Sequence, residues 1–196
     1  MKSPQSRKEI SHERIVATAA RAIRRGGFQG VGVSNIMKEA GLTHGGFYAH
    51  FSSRNALLAE ALERAGQDSA ARVDQGTSAR EARGASALRT LVEGYLSDSH
   101  LGNIETGCPI AALVSEMPRQ ALEVREASAQ RVRGMLDAVR RALPKGASAD
   151  SGPAIASQLI GALQLARALG DNAEGRTLLK ASRRALLAQY DHKPCL

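Results

Sequence analysis

The sequence predicts an all-α fold, with a small N-terminal helical domain over residues 1–52 and a larger C-terminal helical domain over 53–196. Apolar residues recur at three- and four-residue spacing almost throughout, the period of a helix face rather than of a strand. Three Phe, three Tyr and no Trp are too few aromatics to build the core, which must therefore come from Leu, Ala, Val and Ile. A chain of 196 residues can bury such a core without disulfides or metal.

Composition narrows the function classes. The start MKSPQSRKEISHERI is polar and charged, unlike a secretory signal, and no apolar run approaches a membrane span, so a cytoplasmic protein is expected. Cys108 and Cys195 lie far apart without metal-ligand spacing, and neither a metal nor a cofactor is expected. The formal charge is +8, with nine Lys/Arg against four Asp/Glu in residues 1–60 and eighteen against fifteen in the rest. Basic charge is thus denser at the N-terminal end, as suits a surface facing phosphate.

The first helix is expected to start at Ser6 or Ser11 and to reach about Arg25, with Ile15, Ala19, Ala22 and Ile23 as its buried stripe. Gly26-Gly27 ends it, and Phe28 packs back into the small core. Ser34 is a candidate N-cap for a helix over 35–40, with Ile36 and Met37 inward. Gly41 permits a sharp turn, Leu42 anchors it, and Thr43 can cap a second short helix over 44–50. Two short helices about a glycine-containing turn form a helix-turn-helix, whose second helix enters the major groove of DNA.

A fourth helix is expected from Ser52 or Ser53, carrying Leu57, Leu58, Ala61 and Leu62 and fraying around 74–77. A fifth spans about 85–99, and HLGNIETG reads as a loop. Cys108-Pro109 opens a short helix halted at Met117-Pro118. A long helix follows over 119–143, with Leu122, Val132, Leu136 and Val139 inward. PKGASADSGP is a turn-rich linker to two last helices, about 153–169 and 174–189. Their apolar residues (Ile155, Leu159, Ile160, Leu163, Leu165, Leu169, Leu178, Leu179, Leu186, Leu187) exceed one contact face, and a four-helix dimer seam would use the excess.

The run AGLTHGGFYAHFSSRNALL, preceded by GGFQGVGVSNI, resembles the TetR family of bacterial regulators over roughly residues 10–60. Ala40-Gly41, Phe47-Tyr48, His50-Phe51 and Leu57-Leu58 carry the likeness. The resemblance implies a three-helix DNA-binding domain, a fourth connecting helix, and a larger domain for ligand sensing and dimerisation. It further implies a homodimer that represses transcription from a palindromic double-stranded operator until a small molecule releases it. Tyr48 matches the family position whose phenol contacts phosphate, and Arg54 stands at the family's usual lysine position, where it would hold a phosphate bidentately.

Base reading falls to Thr43, His44 and the backbone near Gly45, at the start of the second helix. Ser34 and His50 complete the expected DNA-facing set, and most of these groups position the protein rather than specify sequence. Phe47 and Phe51 are core residues by the same pattern.

Cys108 is the reactive candidate, because Pro109 suits the first position of a helix and makes Cys108 its cap or the cap's neighbour. GCPIAALVSEM resembles a GC…L…E segment of TetR-like regulators that sense electrophiles and oxidants. The plainer reading is a small buried cysteine in the core. A reversible apolar inducer is the alternative, in a pocket lined by Leu88, Val92, Tyr95, Leu113, Met117 and Leu136. Two other classes stay open: a thiol-dependent enzyme using Cys108 with His100 and Asp98, and a nonspecific DNA-binding protein.

Overall fold

Ser6 starts helix α1 (Arg7–Gly26) with a capping box: its side chain accepts from the Glu9 amide while the Glu9 carboxylate accepts from the Ser6 amide. The predicted stripe is buried, with Ile15, Ala19 and Ile23 fully enclosed. Gly27 closes the helix at φ +72°, a conformation that glycine adopts without a Cβ penalty. The structure, a computed structural model, describes residues 6–81 and 84–191, apart from the side chains of 73–81. Cys195 and the tail before Ser6 lie outside the described residues. The fold is all-α, about 75% helical, with no strand among the described residues.

Helix α2 (Val33–Glu39) begins earlier than expected, and Gly32, in extended conformation, takes the cap position. Ser34 therefore sits in the first turn of the helix and does not cap it. The segment His44–Ala49 is a 3-10 helix rather than an α-helix, and Thr43 precedes it without a side-chain cap bond. Gly45-Gly46 explains the difference, since two adjacent glycines make continued α-helix costly.

Helix α3 (Arg54–Glu81) opens with the Ser53 hydroxyl accepting from the Ala56 amide at 3.0 Å. It runs unbroken through 74–77, where fraying was expected, since no proline interrupts it there. The expected fifth helix is broken in two, α4 (Ala87–Tyr95) and α5 (Asp98–Gly102), by Ser97. The Ser97 hydroxyl accepts from the His100 amide at 3.2 Å, so a new helix starts there and His100 and Leu101 are buried instead of lying in a loop.

Helix α6 (Pro109–Leu113) is shorter than expected, and a separate 3-10 turn, Met117–Arg119, follows it. Helix α7 (Leu122–Ala142) buries Val124 and Val139, with Val132 and Leu136 half-buried. Leu122 is 62% exposed, contrary to expectation, because it is the first residue of the helix and a turn short of its buried face. Helices α8 (Ser151–Leu169) and α9 (Ala173–Tyr190) pair through Leu159, Leu163, Leu179 and Leu186, while Leu165 and Leu169 remain exposed.

Two compact units result. One comprises residues 1–68 and 105–131, the other 69–104 and 132–196. The first is cored by Ile15, Ile23, Phe28, Ile36, Met37, Phe47, Leu57, Leu58 and Leu62, and the second by Leu88, Val92, Leu96, Leu101, Ile155 and Leu163. No helix among the described residues is long and apolar enough to cross a membrane.

Candidate DNA-reading surface

Gly41, at φ +67°, turns the chain between α2 and the 3-10 helix. The amides of Gly41 and Leu42 donate back to the carbonyls of Lys38 (3.0 Å) and Met37 (2.8 Å), so the end of α2 is closed by the turn itself. Beyond it, Phe47 and Phe51 are buried and stack at 5.5 Å. Burying each ring contributes about 1.5–3 kcal/mol, which is enough to hold a short 3-10 segment in place. Tyr48, edge-on to Phe47 at 5.2 Å, is 73% exposed. Adjacent aromatics thus divide the work, one ring anchoring the segment and the next offering its phenol to the outside.

Thr43, His44 and Gly45 are exposed at the start of this segment, as a reading edge requires. Ser34 is exposed beside them, its Oγ 3.0 Å from His44 Nδ1. His50 is half-buried, with its Nδ1 enclosed and unpartnered. Burial lowers the His50 pKa, and the charges of His12 and Lys8 add to the effect. His12 itself stacks on Phe51 at 4.6 Å and meets Glu60 at 2.7 Å, linking α1 to α3. Sequence reasoning missed His12 and Glu60, which no motif connects across 48 residues.

Arg54 also makes contacts inside the domain. Its Nε donates to the Val31 carbonyl at 2.9 Å and its Nη2 to the Phe28 carbonyl, so that edge of the guanidinium holds the loop between α1 and α2. Both N–H groups of its Nη1 and the second of its Nη2 are left for other partners in this arrangement. Arg24 is turned inward from the last turn of α1, donating to the carbonyls of Ala65 (3.2 Å) and Gly107 (3.3 Å) and to Asp68 (3.2 Å). Its guanidinium is fully enclosed, and these partners offset the cost of burying the charge.

This helix, turn and 3-10 helix lie within residues 15–61, which match the family described as bacterial regulatory proteins, tetR family. Over these residues the chain is similar to the TetR family. It is 31% identical over 105 residues to an uncharacterised HTH-type transcriptional regulator, Rv0196, of Mycobacterium tuberculosis, a match covering 53% of this chain and 52% of that protein. The chain therefore spans about half the length of the curated relative it matches. YerO of Bacillus subtilis, another uncharacterised HTH-type regulator, is 41% identical over 51 residues, or 26% of this chain and 18% of that protein.

Solved TetR structures share the whole fold. A regulator from Legionella pneumophila superposes with a TM-score of 0.73 at 19% identity, covering 96% of this chain and 100% of that one. The reduced form of NemR from E. coli gives 0.72 at 20% identity, covering 90% and 95%.

Cys108 is the N-cap residue of α6, 4% exposed, with Pro109 following it in the first turn. Arg24 binds the carbonyl of the residue just before it, and Arg25 meets Glu105 at 3.1 Å. The sequence offered no basic neighbour for Cys108, and the fold brings Arg24 close along the chain. The apolar set expected around an inducer divides between the units: Leu113 and Met117 lie with Cys108, whereas Leu88, Val92, Tyr95 and Leu136 lie in the other unit. All but Leu136 are buried. His100, written with Cys108 in the enzymatic alternative, has its Nδ1 2.6 Å from the Tyr95 carbonyl.

Proposed function

We propose that this chain is a cytoplasmic, homodimeric transcriptional repressor that binds a palindromic operator and is released by a small-molecule or thiol-reactive inducer. The observation that carries the DNA-binding part is the pairing of buried Phe47 with outward Tyr48 just past the Gly41 turn, within residues 15–61 of the family match. Tyr48 would contact phosphate. Thr43, His44 and the Gly45 backbone would face bases, with Ser34 and His50 at the margins. Arg54 would hold the 28–31 loop through Nε and Nη2 while its remaining N–H groups face a phosphate.

Two such half-sites on a dimer would supply the specificity that one small reading edge lacks. Exposed Leu165 and Leu169 on α8 support a seam between copies of the chain. Footprinting the DNA upstream of the gene tests the reading: a protected site with two-fold symmetry supports it, and equal protection of random DNA overturns it.

For the inducer, the thiol-reactive reading rests on Cys108 and its surroundings. Gly107 is held by Arg24 and Glu105 by Arg25, so a substituent on the buried thiol would strain the contacts that tie this segment to α1. One equivalent of thiol reagent should release DNA from the wild type and not from Cys108→Ser. Equal release from both removes the thiol and leaves a reversible apolar ligand as the inducer.

A further inference from the structure

Ser34 and His44 were expected to meet DNA separately, yet they meet each other. The Ser34 Oγ lies 3.0 Å from His44 Nδ1, and both residues are exposed at the reading edge. Ser34 stands in the first turn of α2, and His44 is the first residue of the 3-10 helix across the Gly41 turn. Which imidazole nitrogen carries the proton is set by the bond that the other makes.

The hydroxyl can donate to Nδ1 or accept from it, and only a donating serine fixes the neutral ring as an outward donor. A donating serine leaves Nδ1 as acceptor and puts the ring proton on Nε2, at the far side of the ring from Ser34. The ring is then held by its own neighbour, and its single outward group is an N–H donor.

We infer that Ser34 donates to His44 Nδ1 and is a positioning residue for it. His44 is then a specificity-determining residue, donating from Nε2 to N7 on a guanine edge in the major groove. Guanine is the base of choice because its N7 and O6 are adjacent acceptors. At adenine the N7 acceptor is flanked by the N6 amino donor, which opposes an approaching N–H. Cytosine presents a donor and would be rejected, and thymine offers O4 but no N7, with its methyl group alongside. Ser34 thus acts on sequence through His44, not on a phosphate. The inference rests on the proposed DNA-binding reading and gives that reading a base class at one position per half-site.

The test uses the full-length protein and the operator fragment defined by footprinting, with 7-deazaguanine placed at one guanine at a time. One guanine in each half-site should show a loss of roughly fivefold in affinity, the size of a single hydrogen bond. The loss should vanish in His44→Ala, shrink in Ser34→Ala and return in Ser34→Thr, with the ratio of operator to random-DNA affinity falling in the first two. Nitrogen-15 NMR of the ring should show protonated Nε2 in the free wild type and a mixture of tautomers in Ser34→Ala.

A symmetric protected site with no such guanine, or an undiminished loss in Ser34→Ala, overturns the inference alone. Absence of any specific site overturns the regulator reading and the base assignment together. The ring spectrum distinguishes that case, because it tests the Ser34–His44 pair without DNA.

Discussion

The carboxylate of Glu116 accepts a hydrogen bond from the backbone amide of Phe28 at 3.0 Å, across 88 residues of chain. The same carboxylate fills the space over Gly27, where an added Cβ would stand 2.5 Å from its Oε1. Glu105 and Gly107 also engage α1, through Arg25 and Arg24. The segment that follows Cys108 is therefore bonded directly to the loop that launches the helix-turn-helix. Within this unit, Glu116 is one contact through which the 105–119 region reaches the helix-turn-helix. Arg25, which meets both Glu105 and Glu39 of α2, is another.

Removing that contact should cost stability. Glu116→Ala leaves the Phe28 amide without its charged acceptor, and a loss of about 1.5–3 kcal/mol is expected in urea denaturation. Gly27→Ala should be destabilising by about 1–3 kcal/mol, through both its positive φ and the clash with the carboxylate. The two losses should combine to less than their sum in the double variant, because deleting the Glu116 side chain removes the clash.

Arg54→Ala should lower stability by about 1–3 kcal/mol, as two backbone carbonyls lose their donor. Lysine should restore little, since one ammonium cannot reproduce the fork that reaches both Val31 and Phe28. Thermal denaturation of both variants checks this. A wild-type melting curve for Arg54→Ala would return the residue to a purely DNA-facing role.

Tyr48→Phe and Tyr48→Ala should separate binding from folding. The ring is 73% exposed, so either change should move stability by less than about 0.5 kcal/mol. Loss of the phenol should weaken binding to operator and random DNA alike, by roughly threefold to tenfold, if it contacts phosphate. Fluorescence anisotropy on the two DNAs reads this out.

Acid should destabilise the unit that contains His100. Burial lowers the pKa of this ring to about 4; its bond to the Tyr95 carbonyl pulls the other way, and Arg167 and Arg72 add to the lowering. Between about 6.5, the unfolded value, and about 4, the unfolded chain takes up a proton that the folded chain refuses. The stabilisation is complete above that window, falls as the pH drops through it and levels off below, for a total on the order of 3 kcal/mol. His100→Gln should flatten this part of the curve of stability against pH.

The helix faces, the Gly27 and Gly41 closures and the opposite fates of Phe47 and Tyr48 could be read from the sequence, because each depends on residues within one or two turns of each other. The family likeness over the first sixty or so residues was legible for the same reason: its motifs are contiguous. What only the tertiary structure decided is where the polar side chains go. Arg54 turns to carbonyls 23 and 26 residues away, His12 to Glu60, Ser34 to His44 and Glu116 to the Phe28 amide. Three of these bonds end on backbone groups, which every residue possesses, so no residue type marks the partner. The break at Ser97 is not legible in the sequence because helical spacing continues across it, and a local cap outweighs the pattern.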